Sequence, residues 1–181
     1  MGKKVLVPIA DGIEELETVA LCDILTRGGA KVTTASVERN RQVTASRGFK
    51  LVADRLIEQV VEEDWELIVL PGGVGGARAL SRCTLLVDLL KTQADLGKKY
   101  GAICASPALV LARHGLLAGK EATCYPSFGH HLTKRNIQKV VIDQNCATSQ
   151  GPGTAIEFGL SLVEWLYGPD RRRQVAQGML A

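Results

Sequence analysis

The segment KKYGAICASPALVL, residues 98–111, joins an apolar run typical of a buried strand to a pattern typical of a helix. The run ends at Cys104, and Ser106 as N-cap with Pro107 in the first helical position predicts that a helix begins at once. The amide groups at the start of a helix favour an anion, so we expect the pKa of the Cys104 thiol to be lowered and the thiolate to form. Cys104 is therefore either a reactive nucleophile or, like most free cysteines, a small buried hydrophobe.

On both sides of this segment, strand patterns alternate with helical patterns. Such alternation predicts a mostly parallel sheet with helices on both faces. The run 67–70 is apolar throughout, which is typical of a strand buried on both faces. We predict strands at 4–9, 31–37, 67–70, in the run ending at Cys104, and at 121–125, 139–143 and 146–148, with a small β excursion around Val43 and Leu51. The predicted helices cover 13–27, the stretch from Asp54 through Val61, 84–96, 107–113 and 154–166, with a short helix after the last.

The composition is that of an ordinary globular protein, and we expect one domain over residues 1–181. The net charge is only +3 and no apolar run approaches the length of a membrane span, so neither a membrane partner nor a specific nucleic-acid site is expected. No signal-peptide pattern precedes the first strand. Five cysteines at irregular spacing favour neither a disulfide framework nor a metal site. We therefore expect a cytoplasmic protein without a bound metal.

Four short segments follow strands of the predicted sheet: residues 10–12 (ADG), 71–73 (PGG), Cys104 and 150–153 (QGPG). The carboxyl ends of parallel strands meet at one edge of a sheet, where ligands bind in folds of this kind, so we expect all four to lie together. The two glycines of PGG either form a plain tight turn or expose amides. In the second case these amides, with the N–H of Ala105, form an oxyanion hole beside Cys104.

Three glutamates, Glu14, Glu15 and Glu17, crowd the predicted start of the first helix. The helix dipole stabilises carboxylates there in general, which is one explanation of the cluster. Glu14 and Glu17 share one face of the helix, whereas Glu15 points elsewhere. The other explanation is that a carboxyl group close to the Cys104 thiolate holds a proton, which it donates in a hydrogen bond or transfers.

A set of ordered motifs gives the chain a resemblance to a known family. The motifs are GIEELETV (12–19), RGGAKVT (27–33), SRG (46–48), VLPGG (69–73), AICA (102–105) and TSQGPGTAIEF (148–158), and they cover nearly the whole chain. In this order and spacing they resemble the ThiJ/PfpI superfamily, and within it the branch of the parkinsonism-associated deglycase and bacterial YajL. The resemblance implies a flavodoxin-like three-layer α/β sandwich that is normally a homodimer and uses neither a metal nor an organic cofactor.

The resemblance also implies roles for particular residues. Cys104 corresponds to the oxidation-prone, reactive cysteine, and Glu17 corresponds to the buried glutamate that is hydrogen-bonded to it. Gly73 and Ala105 correspond to the residues whose amides face the substrate oxygen, with Gly72 as a further substrate-binding position. Two arginines match residues near the site and the dimer contact, namely Arg27 and Arg47.

At one position the chain departs from the family pattern. Where relatives of the human type carry a His-Pro pair, this chain has Tyr125-Pro126. A histidine there would act as a base near neutral pH, whereas tyrosine, with an ordinary pKa of about 10, donates a hydrogen bond. Either Glu17 performs all of the proton transfer, or one of His130 and His131 folds back toward the pocket. The alternative for both histidines is an exposed loop or helix end.

The resemblance implies a cofactor-free, cysteine-dependent glyoxalase or deglycase. Its substrates would be methylglyoxal and glyoxal, or their early glycation adducts on proteins and nucleotides, and its products would be hydroxy acids such as lactate. The same residues also fit a redox-responsive chaperone or oxidative-stress sensor in which peroxide oxidises Cys104. A PfpI-type protease is not favoured, because no histidine stands beside the cysteine in the sequence. The sequence does not separate the first two functions.

Overall fold

A seven-stranded sheet lies at the centre of the computed structural model, which describes residues 2–181. The strands are β1 (Lys4–Ile9), β2 (Lys31–Ser36), β3 (Gln42–Thr44), β4 (Lys50–Val52), β5 (Arg55–Leu56), β6 (Leu67–Leu70), β7 (Lys99–Ile103), β8 (Val140–Asp143) and β9 (Cys146–Ser149). The strand order in the sheet is β5-β2-β1-β6-β7-β9-β8, and β3 and β4 form a separate antiparallel hairpin. Within the sheet all pairs are parallel except β8 with β9.

Helices cover both faces of this sheet. They are α1 (Glu15–Arg27), α2 (Val74–Arg82), α3 (Thr84–Asp95), α4 (Ala155–Tyr167) and α5 (Pro169–Met179). α4 packs against both α1 and α5, whereas α2 packs against α3. From β1 the chain passes through α1 to β2, toward one edge of the sheet, and from β6 it passes through α2 and α3 to β7, toward the other edge. Because both connections are right-handed, α1 lies on one face of the sheet and α2 and α3 lie on the opposite face. The result is a three-layer α/β sandwich, which confirms the predicted fold class.

The buried strand β6 explains why this part of the sequence is apolar throughout. All four of its residues are buried, because helices cover the sheet on both sides and neither face of the strand reaches water. β6 pairs with β1 on one side and β7 on the other, so it stands at the middle of the sheet. β9 is parallel to β7 and ends at Ser149, so the segments that follow β1, β6, β7 and β9 meet at one edge, as the sequence predicts.

Two predicted elements are wrong. The helix predicted from Asp54 through Val61 is a two-residue strand, β5, followed by a single 3₁₀ turn at Ile57–Gln59. The Asp54 carboxylate does not cap a helix there, because it accepts hydrogen bonds from the N–H and the hydroxyl of Thr34 on the neighbouring strand. The strand predicted at 121–125 is reduced to one isolated bridge, which joins Ala122 to Arg135.

The helix α2 is absent from the sequence prediction. Its first turn contains Gly75 and Gly76, which disfavour a helix in a sequence-based assignment. The fold needs a small residue there, because a Cβ built on Gly76 would lie only 2.6 Å from the Cα of Ile13. α2 thus lies close against the loop after β1, and this contact brings the loops at the ends of β1 and β6 together. None of the helices within residues 2–181 is long and apolar enough to span a membrane.

Candidate active site

The turn after β7 places Cys104 at the edge where the strands end. Cys104 has a φ of +65°, a left-handed conformation that is uncommon for a residue with a side chain. Two backbone hydrogen bonds hold it there: its N–H donates to Ser149 O (3.0 Å), and its carbonyl accepts from the N–H of Tyr125 (2.8 Å). Such strained positions concentrate at functional sites. The sheet therefore holds the thiol in one place at the end of β7.

The chain continues from this turn as a helix, but the predicted N-cap is wrong. Ser106 is itself in a helical conformation, and its hydroxyl donates to the carbonyl of Pro71 in the loop after β6. Pro107 stands in the first turn as predicted, and the segment Pro107–Ala112 is π-helical. Ser106 thus ties the Cys104 turn to the neighbouring loop and does not cap the helix.

Glu17 lies on α1 beside Cys104 and is completely buried. One of its carboxylate oxygens, Oε2, accepts a 2.7 Å hydrogen bond from the N–H of Gly72. The other oxygen, Oε1, has no hydrogen-bond partner within residues 2–181. Gly72 is wedged between the two side chains, because a Cβ built on it would lie 2.4 Å from Cys104 Cβ and 2.7 Å from Glu17 Oε2. The structure therefore brings the predicted thiol and carboxyl group together.

The pKa values of these two groups are coupled. Burial raises the pKa of Glu17 to about 7; the Gly72 N–H and the adjacent Cys104 thiol act against this rise, and the negative charge of Glu14 adds a smaller rise. Burial and the nearby Glu17 charge raise the pKa of the Cys104 thiol to about 12, so the predicted lowering of this pKa is wrong. Two negative charges are disfavoured side by side here, so Glu17 and Cys104 titrate as a pair and not independently.

Two backbone amides face the sulfur of Cys104. The N–H groups of Gly73 and Ala105 act as hydrogen-bond donors toward it and favour its negative form. Gly73 has a φ of +81°, and a Cβ built on it would lie 2.4 Å from Gly12 O, so only glycine fits between the two loops. The two amides predicted from the sequence are thus both positioned beside Cys104.

A cleft of about 640 Å³ opens over this group of residues. Cys104, Gly73 and Ala105 line it together with Tyr125 and Arg47, two further positions singled out in the sequence. The Tyr125 ring lies against Gly151, where a Cβ would be 3.3 Å from the ring carbon Cδ2. The volume is within the range of small-molecule sites. The cleft is therefore large enough for a ligand bigger than a three-carbon dicarbonyl.

Gly72, Arg27, His130 and His131 were also singled out in the sequence, but none of them lines the cleft. Gly72 was expected to bind substrate, but its N–H donates to Glu17 Oε2, so that expectation is wrong. Arg27 is the last residue of α1, and its guanidinium group pairs with Asp23. It does not line the cleft of its own chain, so the expectation that Arg27 lies near the site is wrong within one chain. The helix begins beside Cys104 and carries Arg27 away from the edge where the strands end. His130 and His131 are both exposed on the 3₁₀ helix that follows Tyr125, and neither lines the Cys104 cleft. The alternative of an exposed helix end is the one observed.

The structure adds lining residues that the sequence analysis does not assign. Phe128 contributes apolar surface to the cleft, and Glu14 and Ser46 contribute polar groups. Pro152 also lines it, which agrees with the expectation that segment 150–153 lies at this edge. Glu14 could have been predicted as a lining residue, because the sequence places it on the same helix face as Glu17. Phe128 carries no such signal, because its approach depends on how the chain turns after Tyr125.

The remaining four cysteines show no sign of reactivity. All five cysteines are free thiols, and burial raises the pKa of each of the other four. Within residues 2–181, no group of three or more His, Cys, Asp or Glu side chains is arranged to hold a metal ion. Cys104 is distinguished from the other thiols by its strained turn, by its carboxyl neighbour and by the two amides that face it.

Comparisons with known proteins show which family the chain resembles in sequence and in fold. The sequence model of the protein family described as the DJ-1/PfpI family matches residues 3–165 of this chain. Protein dj-1beta of Drosophila melanogaster is 41% identical over 184 residues, which cover 99% of this chain and 98% of that protein. Protein DJ-1 homolog B of Arabidopsis thaliana is 48% identical over 179 residues; the match covers 98% of this chain but only 41% of the plant protein, so the chain spans less than half of that relative.

Two further comparisons concern activity and fold. A Caenorhabditis elegans protein named glutathione-independent glyoxalase DJR-1.2 is 37% identical over 171 residues, which cover 92% of this chain and 89% of that protein. The solved structure of oxidized Toxoplasma gondii DJ-1 superposes with a TM-score of 0.98 at 42% identity and covers 99% of this chain and 98% of that one. The flavodoxin-like α/β fold expected from the sequence is therefore confirmed.

Proposed function

Because this chain belongs to the DJ-1/PfpI family, we propose that it is a cofactor-free glyoxalase or deglycase that uses Cys104 as its nucleophile. The single observation that carries this proposal is the position of Cys104 on a strained turn, beside the buried carboxyl group of Glu17 and facing two amides. The name of the Caenorhabditis elegans relative supports the reaction class. The proposed substrates are methylglyoxal, glyoxal or their early adducts with proteins and nucleotides.

The reaction begins with the form of the site in which Glu17 holds the proton and Cys104 is a thiolate. The sulfur attacks the aldehyde carbon of methylglyoxal and forms a carbon–sulfur bond, and the aldehyde oxygen takes up the negative charge. The N–H groups of Gly73 and Ala105 stabilise this oxygen, which then receives a proton from Glu17. The product of this step is a covalent hemithioacetal.

A proton transfer and a hydrolysis complete the reaction. Glu17, now a carboxylate, removes the hydrogen on the former aldehyde carbon and returns a proton to the neighbouring carbon, while the hydroxyl proton of the hemithioacetal passes to the oxygen on that neighbouring carbon; the first carbon is thereby oxidised and the second reduced within the same molecule. The resulting thioester is hydrolysed by one water, which releases lactate and restores the thiol. Tyr125 replaces the family histidine, and Glu17 alone carries the proton in this scheme.

The size of the cleft supports action on larger adducts as well as on free dicarbonyls. Methylglyoxal fills only a small part of about 640 Å³, and the rest has room for the amino acid or base to which a dicarbonyl is attached. Tyr125 and Phe128 supply aromatic surface there, whereas Glu14 and Arg47 supply charge. An adduct would therefore meet polar and apolar partners beyond the reacting atoms.

The proposal predicts that Glu17→Gln lowers lactate formation from methylglyoxal by roughly a hundredfold or more, because glutamine cannot carry the proton between the two carbons. Lactate is measured by an enzyme-coupled assay in thiol-free buffer. Glu62→Gln, which changes an exposed glutamate, serves as the matched control and is expected to retain full activity. Activity within a few-fold of the parent in Glu17→Gln would show that another group transfers the proton.

The second candidate function is redox sensing or chaperone activity that depends on oxidation of the same cysteine. It is favoured by Oε1 of Glu17, which has no hydrogen-bond partner within residues 2–181 and, when protonated, would have a hydrogen free to donate to a Cys104 sulfinate. Two molecules of peroxide would supply the two oxygens. No lactate, together with a gain of two oxygens at Cys104 alone in the mass spectrum after mild peroxide, would favour this function over the enzyme.

We further propose that the chain forms a homodimer through an exposed apolar surface. On α1, Leu16 and Val19 lie one turn apart and are 52% and 55% exposed, and Val52 of the hairpin is 63% exposed. Val19 and Val52 line the same groove, so helix and hairpin form one continuous surface. The contacts of the Glu15 side chain with Ser46 and Arg47 hold the hairpin loop against α1 and link this surface to the cleft.

The dimer proposal predicts a solution mass of twice the 19.4 kDa chain mass, and a shift to the single-chain mass in Val19→Asp. A buried aspartate at such a contact would lose its hydration without a partner, so pairing is lost. Light scattering after size exclusion measures the mass. Ile137→Asp changes a residue that is 81% exposed and outside this surface, and should leave the mass unchanged. A dimeric Val19→Asp variant would exclude this interface.

A further inference from the structure

Ser106 stands two residues after Cys104 and is completely buried, yet the proposed mechanism does not use it. A hydroxyl group that is buried needs a hydrogen-bond partner. Ser106 does not find this partner in its own helix, because its side chain makes no cap hydrogen bond there. Its hydroxyl donates to the carbonyl of Pro71 at a distance of 2.5 Å. The helix after β7 is thus joined to the loop after β6.

The carbonyl that accepts from Ser106 belongs to the same peptide unit as the N–H that binds Glu17. The carbonyl of Pro71 and the N–H of Gly72 are the two polar ends of one planar trans peptide, and they point in opposite directions. Ser106 binds the carbonyl end, and the N–H end donates to Glu17 Oε2 at 2.7 Å. One peptide unit therefore connects the Ser106 hydroxyl to the Glu17 carboxyl group through a hydrogen bond at each end.

The two hydrogen bonds of this peptide unit support each other. Because the unit is planar, a bond that fixes the direction of its carbonyl also fixes the direction of its N–H. A carbonyl that accepts a hydrogen bond also draws electron density from its own N–H, which makes that N–H a stronger donor. The hydroxyl of Ser106 therefore both orients and strengthens the donor that Gly72 presents to Glu17.

The hydrogen bond from Gly72 makes the two oxygens of Glu17 unequal. Oε2 accepts from the N–H, whereas Oε1 has no hydrogen-bond partner within residues 2–181. In a protonated carboxyl group one oxygen carries the hydrogen and the other is the better acceptor. A donor held against Oε2 therefore favours the form of Glu17 in which the hydrogen is on Oε1, where it is free to be transferred.

We propose that Ser106 is a positioning residue of the active site: its hydroxyl fixes the peptide unit between Pro71 and Gly72, and the Gly72 N–H in turn holds Glu17 with its transferable hydrogen on Oε1. This inference rests on the proposed function, in which Glu17 carries the proton between the two carbons. Ser106 touches neither the sulfur nor the reacting carbons in this account. It acts on the proton transfer only through the peptide unit that it binds.

The inference predicts how the pKa of Glu17 changes when the Ser106 hydroxyl is removed. The hydrogen bond from Gly72 favours the ionised carboxylate, so it acts against the burial that raises the pKa of Glu17 to about 7. The other two groups that act on this carboxyl are Cys104 and Glu14, and Ser106→Ala replaces neither of them. A weaker hydrogen bond from Gly72 leaves the effect of burial less opposed. The pKa of Glu17 should therefore rise in Ser106→Ala.

The test is a ¹³C NMR titration of the Glu17 carboxyl in full-length protein labelled at the glutamate carboxyl carbons. A Cys104→Ser background lets Glu17 titrate without a thiol partner, and the signal that disappears in Glu17→Gln identifies Glu17. In Ser106→Ala the midpoint is expected to move to higher pH by roughly half a pH unit. The amide proton of Gly72 is expected to move upfield, because both hydrogen bonds of its peptide unit are weakened. A general loosening of the fold would move many amide signals and not this one in particular.

Ser36→Ala is the matched control. Ser36 is also completely buried, and its hydroxyl donates to a different backbone carbonyl, that of Asn40, at 2.7 Å. The variant loses the same group and should leave both the Glu17 midpoint and the Gly72 amide proton unchanged. An unchanged or lower midpoint in a folded Ser106→Ala protein, a Gly72 proton that does not move, or an equal rise in Ser36→Ala would each overturn the inference.

Failure of this inference and failure of the proposed function are distinguishable. The titration requires no turnover, so it reports on Ser106 whether or not lactate is formed. Lactate formation by the parent protein with no change of midpoint in Ser106→Ala would overturn the role of Ser106 and leave the enzyme proposal standing. A higher midpoint without lactate formation by the parent would support the hold of Ser106 on Glu17 at a cysteine site that serves another function.

Discussion

Replacing Cys104 with serine is expected to lower kcat/KM for lactate formation by roughly a thousandfold or more, because no covalent intermediate can form at a useful rate. The serine hydroxyl stays protonated at neutral pH and, beside Glu17, lacks a base strong enough to activate it. The fold should be retained, since serine is close to cysteine in size and the backbone hydrogen bonds of residue 104 do not involve the side chain. Circular dichroism and the lactate assay measure the two properties on one preparation.

The matched control for this prediction is Cys83→Ser. Cys83 is a free thiol on the segment before α3, is only partly buried and does not line the cleft, so the variant should keep the activity of the parent. Appreciable lactate formation by a well-folded Cys104→Ser protein would show that the sulfur is not the nucleophile. Loss of activity in both variants would point to a general sensitivity of the protein and not to the site.

The change Gly72→Ala has the largest expected effect on stability. The added Cβ would lie 2.4 Å from Cys104 Cβ, 2.7 Å from Glu17 Oε2 and 2.9 Å from Ile103 O. Backbone atoms and Cβ atoms cannot move aside as the end of a flexible side chain can, so the loop after β6 must shift away from β7. We expect a loss of about 3 kcal/mol in the free energy of unfolding, which lowers the Tm by roughly 6–12 °C.

The same change should also abolish activity, because the shift separates the Gly72 N–H from Glu17 and moves Gly73 away from Cys104. Differential scanning calorimetry and the lactate assay test both expectations. Gly178→Ala, on α5 with nothing within 4 Å of the added Cβ, is the control and should leave Tm and activity near those of the parent. A Gly72→Ala protein with the Tm and the activity of the parent would contradict the close packing described here.

Much of the architecture could be predicted from local pattern. The apolar run of β6 and the alternation of strands with helices predict the parallel sheet, and the sheet then brings the loops after β1, β6 and β7 to one edge. The helix at 54–61 could not be excluded locally, because the Asp54 carboxylate pairs with Thr34 of a strand twenty residues earlier. α2 could not be predicted for a similar reason. Its glycines disfavour a helix locally, and the need for a small residue becomes clear only from the contact of Gly76 with Ile13.

The sequence predicts that Cys104, Glu17, Gly73 and Ala105 lie together, as the structure shows, but it does not predict the pKa shifts of the thiol and the carboxyl group. The start of a helix after Cys104 favours a lowered thiol pKa, whereas the structure shows burial and a nearby ionised carboxyl group acting in the opposite direction. The rise in the Cys104 pKa depends on how α1, which carries Glu17, packs beside the end of β7. No local sequence motif predicts this packing. The prediction that Arg27 lies near the site is wrong for a related reason. The motif that contains Arg27 matches the family, but α1 is thirteen residues long and its far end, where Arg27 lies, is away from the cleft of the same chain.

The most direct test of the account is the formation of lactate from methylglyoxal by the purified protein in thiol-free buffer, followed by ¹³C NMR with labelled substrate. The account predicts that one lactate forms for each methylglyoxal consumed. The aldehyde carbon should be oxidised and the neighbouring carbon reduced within the same molecule, with no added thiol or cofactor. Loss of methylglyoxal without lactate, or lactate no faster than in buffer alone from a well-folded protein, would contradict the claim that Cys104 and Glu17 form a glyoxalase site.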